Sequence, residues 1–176
     1  KDILHFSPEK IISKILMNNA KSYTTTNLLE EEADLSLDIT NMCDIKDESY
    51  DCIIAFDILE HVSDYKKALN EIYRCLRKGT FGILTVPQKD NLSKTYEDHN
   101  VTLPKERLKI FGQEDHLRIF GSDFLTIIAN VGFFSAIQID KNDFNIELQR
   151  LHVLYPQFLS SHPLATNYRK VFFAKK

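Results

Sequence analysis

Ile3-Leu4-His5-Phe6 is an apolar run too short for a helix, and it predicts a strand. Ser7-Pro8-Glu9 behind it reads as a helix start, with Ser7 as N-cap and Pro8 in the first helical position. Ile11, Ile12, Ile15 and Leu16 then recur at helical spacing as far as Ala20, which predicts one apolar face. Residues 23–28 are β-branched and aromatic enough for a second strand, and residues 35–37 for a short third. Residues 50–56 turn almost wholly apolar in their second half, the pattern of a central strand covered on both faces. After Ser63-Asp64, the positions Tyr65, Ala68, Leu69, Ile72, Tyr73 and Leu76 predict a helix that Lys78-Gly79 would close. Residues 81–86 read as a strand stopped by Pro87. A further helix starts at Ser122, carries Phe124, Ile127, Ile128 and Val131, and ends at Gly132. Strands are expected again at residues 135–139 and 170–174.

Repeated strand–helix alternation predicts an α/β chain with a doubly wound sheet and right-handed crossovers. Two stretches break the rhythm. Residues 87–121 hold at most one short helix, near residues 104–111, and an insertion of that length in a compact domain is usually functional. Residues 140–168 form the second irregular stretch. Neither an internal repeat nor a linker divides residues 1–176, so one domain is expected, with residues 87–121 as a substrate lid.

The chain is 43% hydrophobic and 27% charged over 176 residues, which fits a folded domain and excludes disorder as its main state. Its 22 basic and 25 acidic residues leave a net charge of -3, with none of the basic excess a phosphate backbone requires. The longest apolar stretches, such as residues 52–56, fall far short of a membrane span, so neither nucleic acid nor membrane is an expected partner. Cys43, Cys52 and Cys75 form no metal-type pair; they read as buried free thiols of a cytoplasmic chain, and no metal is expected.

Ligands of open α/β sheets bind at the carboxyl ends of the strands, which singles out residues 5–9, 27, 38–40, 56–61 and 87–89. The series Asp38-Ile39-Thr40, residues 50–54, Ile58-Leu59-Glu60-His61-Val62 and Leu76-Arg77-Lys78-Gly79 resembles the class I S-adenosylmethionine-dependent methyltransferases, in the branch called methyltransferase type 11. Thr80 stands where that branch has a second glycine. His5-Phe6-Ser7-Pro8-Glu9 and residues 112–121 further resemble a bacterial subgroup with a His-Phe-Ser/Ala-Pro-Glu first motif. The resemblance implies a Rossmann-like, mostly parallel sheet in the strand order 3-2-1-4-5-7-6 with an antiparallel last strand, S-adenosylmethionine as cofactor, and an upstream segment belonging to a longer protein. Two departures accompany it: no glycine lies between Lys1 and Lys78, where the family has a Gly-x-Gly turn, and Asn27 replaces the usual ribose-binding acid. The same departures support a second reading, a degenerate methyltransferase fold serving as a binding or scaffold module. An NAD-dependent oxidoreductase is disfavoured, because the G-x-G-x-x-G turn is missing.

By this resemblance His5, Phe6, Ser7, Glu9, Asn27, Asp38, Ile39, Thr40, Asp57 and Leu59 contact the cofactor. Asp38 would accept the adenine amine and Glu9 would hold the methionine ammonium; their plainer readings are a turn cap and a carboxylate on a helix dipole. Phe6 and His5 read equally as core and as a bonded strand residue, and His61 as a catalyst or a loop cap. Residues 113–118 combine carboxylates, an imidazole and a guanidinium. His116 reads there as a general base oriented by Asp115 or Glu114, and Arg118, with Glu114, as the binder of an anionic substrate group. A solvated loop with internal ion pairs is the alternative. The acceptor is expected to be a small molecule.

Overall fold

The computed structural model describes residues 1–28, 33–89, 91–139, 141–151 and 170–176. In chain order its elements are β1 (Asp2–Phe6), α1 (Lys10–Asn19), β2 (Ser22–Asn27), β3 (Leu35–Ser36), β4 (Tyr50–Phe56), α2 (Tyr65–Cys75) and β5 (Leu76–Thr85). The insertion follows, with β6 (Tyr96–Glu97), α3 (Pro104–Phe111) and β7 (Arg118–Ile119). The chain then gives α4 (Phe124–Val131), β8 (Ser135–Ile139), a 3-10 turn at Lys141–Asp143, α5 (Ile146–Leu151) and β9 (Val171–Lys175). Most of the irregular stretch expected at residues 140–168 lies outside the described residues.

Among the described residues, seven strands form one sheet in the order β3-β2-β1-β4-β5-β9-β8, and β6 and β7 form a separate antiparallel ribbon. Counting only strands of the large sheet, this is the order 3-2-1-4-5-7-6. β9 runs against its neighbours β5 and β8, while β1, β2, β3, β4 and β5 pair in parallel. Sheet order reverses between β1 and β4, and the carboxyl ends of the parallel strands therefore open a crevice there.

The side chains of β1 alternate between two cores. Leu4 and Phe6 join the main core with Ile53, Ala55, Leu69, Ile72, Phe124, Ile128 and Phe172, whereas Ile3 packs with Cys52 and Ile54 on the opposite face. The main core is roofed by the buried faces of α2 and α4. On the other side α1 sits loosely. Leu16 packs against the sheet, but Ile11 and Ile15, expected on the buried stripe, remain 77% and 59% exposed.

Two cap signals are overridden. α1 starts at Lys10 with Glu9 as its N-cap, because the Ser7 amide continues the strand ladder by donating to the Thr26 carbonyl at 2.8 Å and Ser7 itself turns the chain with φ +46°. α2 ends at Cys75, and Leu76 is already extended because it pairs with Tyr50. The pairing resumes at Cys52 with Phe81, so the loop of residues 77–80 bulges opposite Asp51, and Gly79 supplies its left-handed residue at φ +76°. Arg77 in this bulge bonds Asp2 and Asp51, each at 2.8 Å, tying the amino ends of β1 and β4 to the start of β5. Cys52 and Cys75 are buried thiols as expected, and Cys43 is exposed because it lies in the loop before β4.

Candidate active site

A cavity of about 430 Å³ occupies the crevice. Its lining comes from every parallel strand end between β3 and β4: Phe6 and Ser7 after β1, Asn27 and Leu28 after β2, Leu37, Asp38 and Ile39 after β3, and Asp57, Ile58, His61 and Val62 after β4. Asp115 of the insertion closes the wall. Apolar surface dominates, with an amide and carboxylates at intervals along it, the character of a small-molecule site.

Two residues at its lip hold left-handed backbones, Ser7 at φ +46° and Asp57 at φ +49°. Such a conformation costs an L-residue about 1–2 kcal/mol, which glycine escapes. The chain therefore makes the sharp turn after β1 without the glycines, with the turn anchored by the Ser7 amide on Thr26. Asp57 is anchored likewise, its amide donating to the Thr85 carbonyl and hydroxyl at 3.1 Å each. At the far end, Asp38 Oδ1 accepts from the Thr40 amide and hydroxyl at 2.7 Å each, so the turn-cap role coexists with its place in the cavity wall. Asn27 Oδ1 accepts from the Leu28 amide at 2.8 Å, which turns its NH₂ group away from that bond.

Four of the expected cofactor contacts lie elsewhere. His5 is fully buried on the α1 side of the sheet, its Nδ1 bonded to the Tyr23 hydroxyl at 2.8 Å. Burial holds the His5 pKa below its usual value, against an opposing pull from Glu9. Glu9 lies 3.2 Å from His5 Nε2 instead of facing the cavity. Leu59 is entirely within the core, since the turn after β4 points it inward. Thr40 serves Asp38.

The insertion docks beside this site. The Leu117 amide donates to the Glu60 carbonyl at 2.9 Å, and Gln88 Nε2 donates to the Gly121 carbonyl at 2.8 Å. Residues 113–118 thereby come to the strand ends, and His61, Asp115 and His116 meet. His61 Nδ1 lies 3.1 Å from Asp115 Oδ2, and the His61 and His116 rings stand edge to face 4.8 Å apart. His116 is 7% exposed, and its Nδ1 donates to the Phe111 carbonyl at 3.2 Å. Burial lowers the His116 pKa, outweighing the Phe111 bond. Burial raises that of Asp115, but the Gln113 bond and the His61 ring hold it below the usual carboxylate range.

Arg118 is no open anion clamp. It is 1% exposed, and its guanidinium donates to the carbonyls of Leu59 at 2.8 Å, Val62 at 2.6 Å and Ser63 at 3.0 Å, and to Glu97 at 2.9 Å. Its Cζ also stacks 4.8 Å from the Tyr65 ring centre. A buried cation must find such partners, and the bent β4–α2 loop offers three unclaimed carbonyls in one place. Glu114 is exposed and outside the cavity lining. Glu60, indistinguishable in sequence from a helix cap, is buried beside His61 and His116.

A family model described as a methyltransferase domain matches residues 12–84. No curated protein matches the chain. Among solved structures, a SAM-dependent methyltransferase from Archaeoglobus fulgidus is similar at TM-score 0.65 and 12% identity, over 100% of this chain and 86% of that one. The Burkholderia thailandensis 1,6-didemethyltoxoflavin-N1-methyltransferase, solved with bound 1,6-didemethyltoxoflavin and S-adenosylhomocysteine, is similar at TM-score 0.62 and 13% identity, over 99% and 70%. A methyltransferase from Mesorhizobium loti is similar at TM-score 0.62 and 12% identity, over 99% and 90%. The chain thus has the Rossmann-like fold of S-adenosylmethionine-dependent methyltransferases.

Proposed function

We propose that the chain is an S-adenosylmethionine-dependent methyltransferase whose cofactor lies in the cavity between the ends of β3 and β4 and whose acceptor is a small molecule. The observation that carries this reading is the succession of its walls. Leu37, Asp38 and Ile39 offer an apolar slot with a carboxylate at its edge, which suits an adenine ring and its amine. Asn27 offers an amide for a ribose, and the backbone at Ser7 comes close enough to accompany an extended polar tail. The residues present therefore fit the group without a glycine-rich turn.

When bound, S-adenosylmethionine supplies a methyl group on an electrophilic sulfonium. The chain's own contribution is orientation and exclusion of water. Asp57, Ile58 and His61 form the wall at which the acceptor is held, and Asp115 brings the insertion over it as the lid. Arg118 positions this wall by fixing the carbonyls of Leu59, Val62 and Ser63 on either side of His61. Support for a small acceptor comes from the Burkholderia enzyme, whose structure holds bound 1,6-didemethyltoxoflavin together with S-adenosylhomocysteine.

Calorimetric titration with S-adenosylmethionine, S-adenosylhomocysteine and NAD tests the reading. One site for each of the first two is expected, and none for NAD. Asp38→Ala should weaken binding by about 1.5–3 kcal/mol, the worth of a hydrogen bond to a charged group, with Asp38→Asn separating the turn cap from the carboxylate. A folded chain that binds neither sulfur nucleotide refutes the reading and leaves the scaffold role.

A further inference from the structure

We infer that Glu60, His61 and His116 form a binding site for a divalent transition-metal ion at the acceptor end of the cavity. One ligand atom from each of the three lies within 4.8 Å of the others. Two imidazoles with one carboxylate are the donor set of open catalytic zinc sites and of other borderline ions, and they discriminate against magnesium and calcium, which take oxygen ligands.

The surroundings of the two rings support the inference independently of their proximity. His61 Nδ1 faces Asp115 Oδ2 at 3.1 Å, and His116 Nδ1 faces the Phe111 carbonyl oxygen at 3.2 Å. A carbonyl or carboxylate oxygen only accepts, so each Nδ1 is a donor, and Nε2 is left as the nitrogen of each ring that a metal would take. A histidine whose second nitrogen is held by an oxygen acceptor is the usual state of a metal ligand, because that bond fixes tautomer and ring orientation. Glu60 is 1% exposed, and a buried carboxylate beside two imidazoles is well compensated by a cation. The three residues come from two segments that the Leu117–Glu60 backbone bond and Arg118 lock together.

Three protein ligands leave a further coordination position. His61 is also a cavity wall, so the ion borders the space assigned to the acceptor. There it would hold an acceptor hydroxyl as its anion, the proton leaving to solvent, which names the substrate class as a hydroxylated small molecule. This consequence rests on the methyl-transfer reading; the ion site does not.

The test is titration of the chelator-treated chain with Co²⁺, followed by visible absorption and by displacement with Zn²⁺. One equivalent with the intense bands of low coordination is expected. His61→Ala and His116→Ala should each weaken binding by more than the roughly 10–100-fold expected for Asp115→Asn, which removes only a supporting contact. His99→Ala, at an exposed position, should leave it unchanged. His61 is partly exposed, so its variant keeps the test decisive if a buried one misfolds. Absence of the cobalt bands, or bands indifferent to both histidine substitutions, overturns the site. A parallel titration with S-adenosylhomocysteine distinguishes the two claims: nucleotide binding without a cobalt site overturns this inference alone, and a cobalt site without nucleotide binding overturns the methyl-transfer reading alone.

Discussion

Replacing Arg118 by methionine keeps most of its volume and its contact with Tyr65 while deleting every donor. The loss comprises bonds to the carbonyls of Leu59, Val62 and Ser63 and to Glu97. Hydrogen bonds to a charged group contribute about 1.5–3 kcal/mol each, but the pair with Glu97, which is 33% exposed, is discounted because solvent screens it. The Ser63 and Val62 carbonyls are partly buried and regain water, whereas the Leu59 carbonyl is buried and does not. A net destabilisation of about 3–5 kcal/mol follows, the scale for breaking a buried charge network. For a chain of this size that lowers Tm by on the order of 10 °C. Arg118→Lys should recover only part, since an ammonium lacks the fork that reaches three carbonyls. Urea unfolding followed by circular dichroism measures the difference. A methionine variant within about 1 kcal/mol of the parent would refute the assignment of Arg118 to the architecture of the β4–α2 loop.

Ser7→Val should destabilise the chain by about 1–2 kcal/mol, because a β-branched residue is strained at φ +46°, while Ser7→Gly stays within about 1 kcal/mol of the parent; equal stability of the valine variant in urea would contradict the left-handed turn. Gly121→Ala should cost about 1–3 kcal/mol or more, since a Cβ there would stand 2.5 Å from the Lys94 backbone carbon; thermal unfolding of that variant checks it. Asp2 is held at a pKa of about 2 by the Ser22 hydroxyl and Arg77, and Asp51 is held low by the Asp2 amide and Arg77. Depressed folded values mean that this stability is fully present above the unfolded pKa near 4 and is lost as pH falls toward 2. Tm measured from pH 5 to 2 should fall, and less steeply in Arg77→Met; identical slopes would exclude the Arg77 bridge as a cause.

The sheet was legible because apolar runs and helical spacing are local signals, and its strand order only because the strand-end motifs resemble a family with one topology. Local signals misled where a tertiary bond competed. Ser7-Pro8 has the composition of a helix cap, but the Ser7 amide is claimed by Thr26 across the sheet. Leu76 fits the helical spacing of α2, yet pairing with Tyr50 draws it into β5. At the site, Phe6, Ser7, Asn27, Asp38, Ile39, Asp57 and His61 could be found because the ends of parallel strands converge on one crevice, and Asp115 because residues 113–118 concentrate titratable groups. Leu59 could not, since direction within a turn has no period. Arg118 was misjudged because its partners are backbone carbonyls, which carry no side-chain signature. The meeting of Glu60 with His116 joins residues far apart in sequence, and nothing in their spacing announces it.

The most direct test of the account is a map of where the nucleotide binds. In ¹H–¹⁵N spectra of the labelled chain, S-adenosylhomocysteine should shift the amides of Ser7, Leu28, Asp38, Ile39 and Asp57. The amides of Thr95, Asp123 and Asn130, which line a second cavity between the insertion, α2 and α4, should stay in place. Unmoved amides around the strand ends at saturating nucleotide, or shifts confined to the second cavity, would contradict the placement of the cofactor and the function built on it.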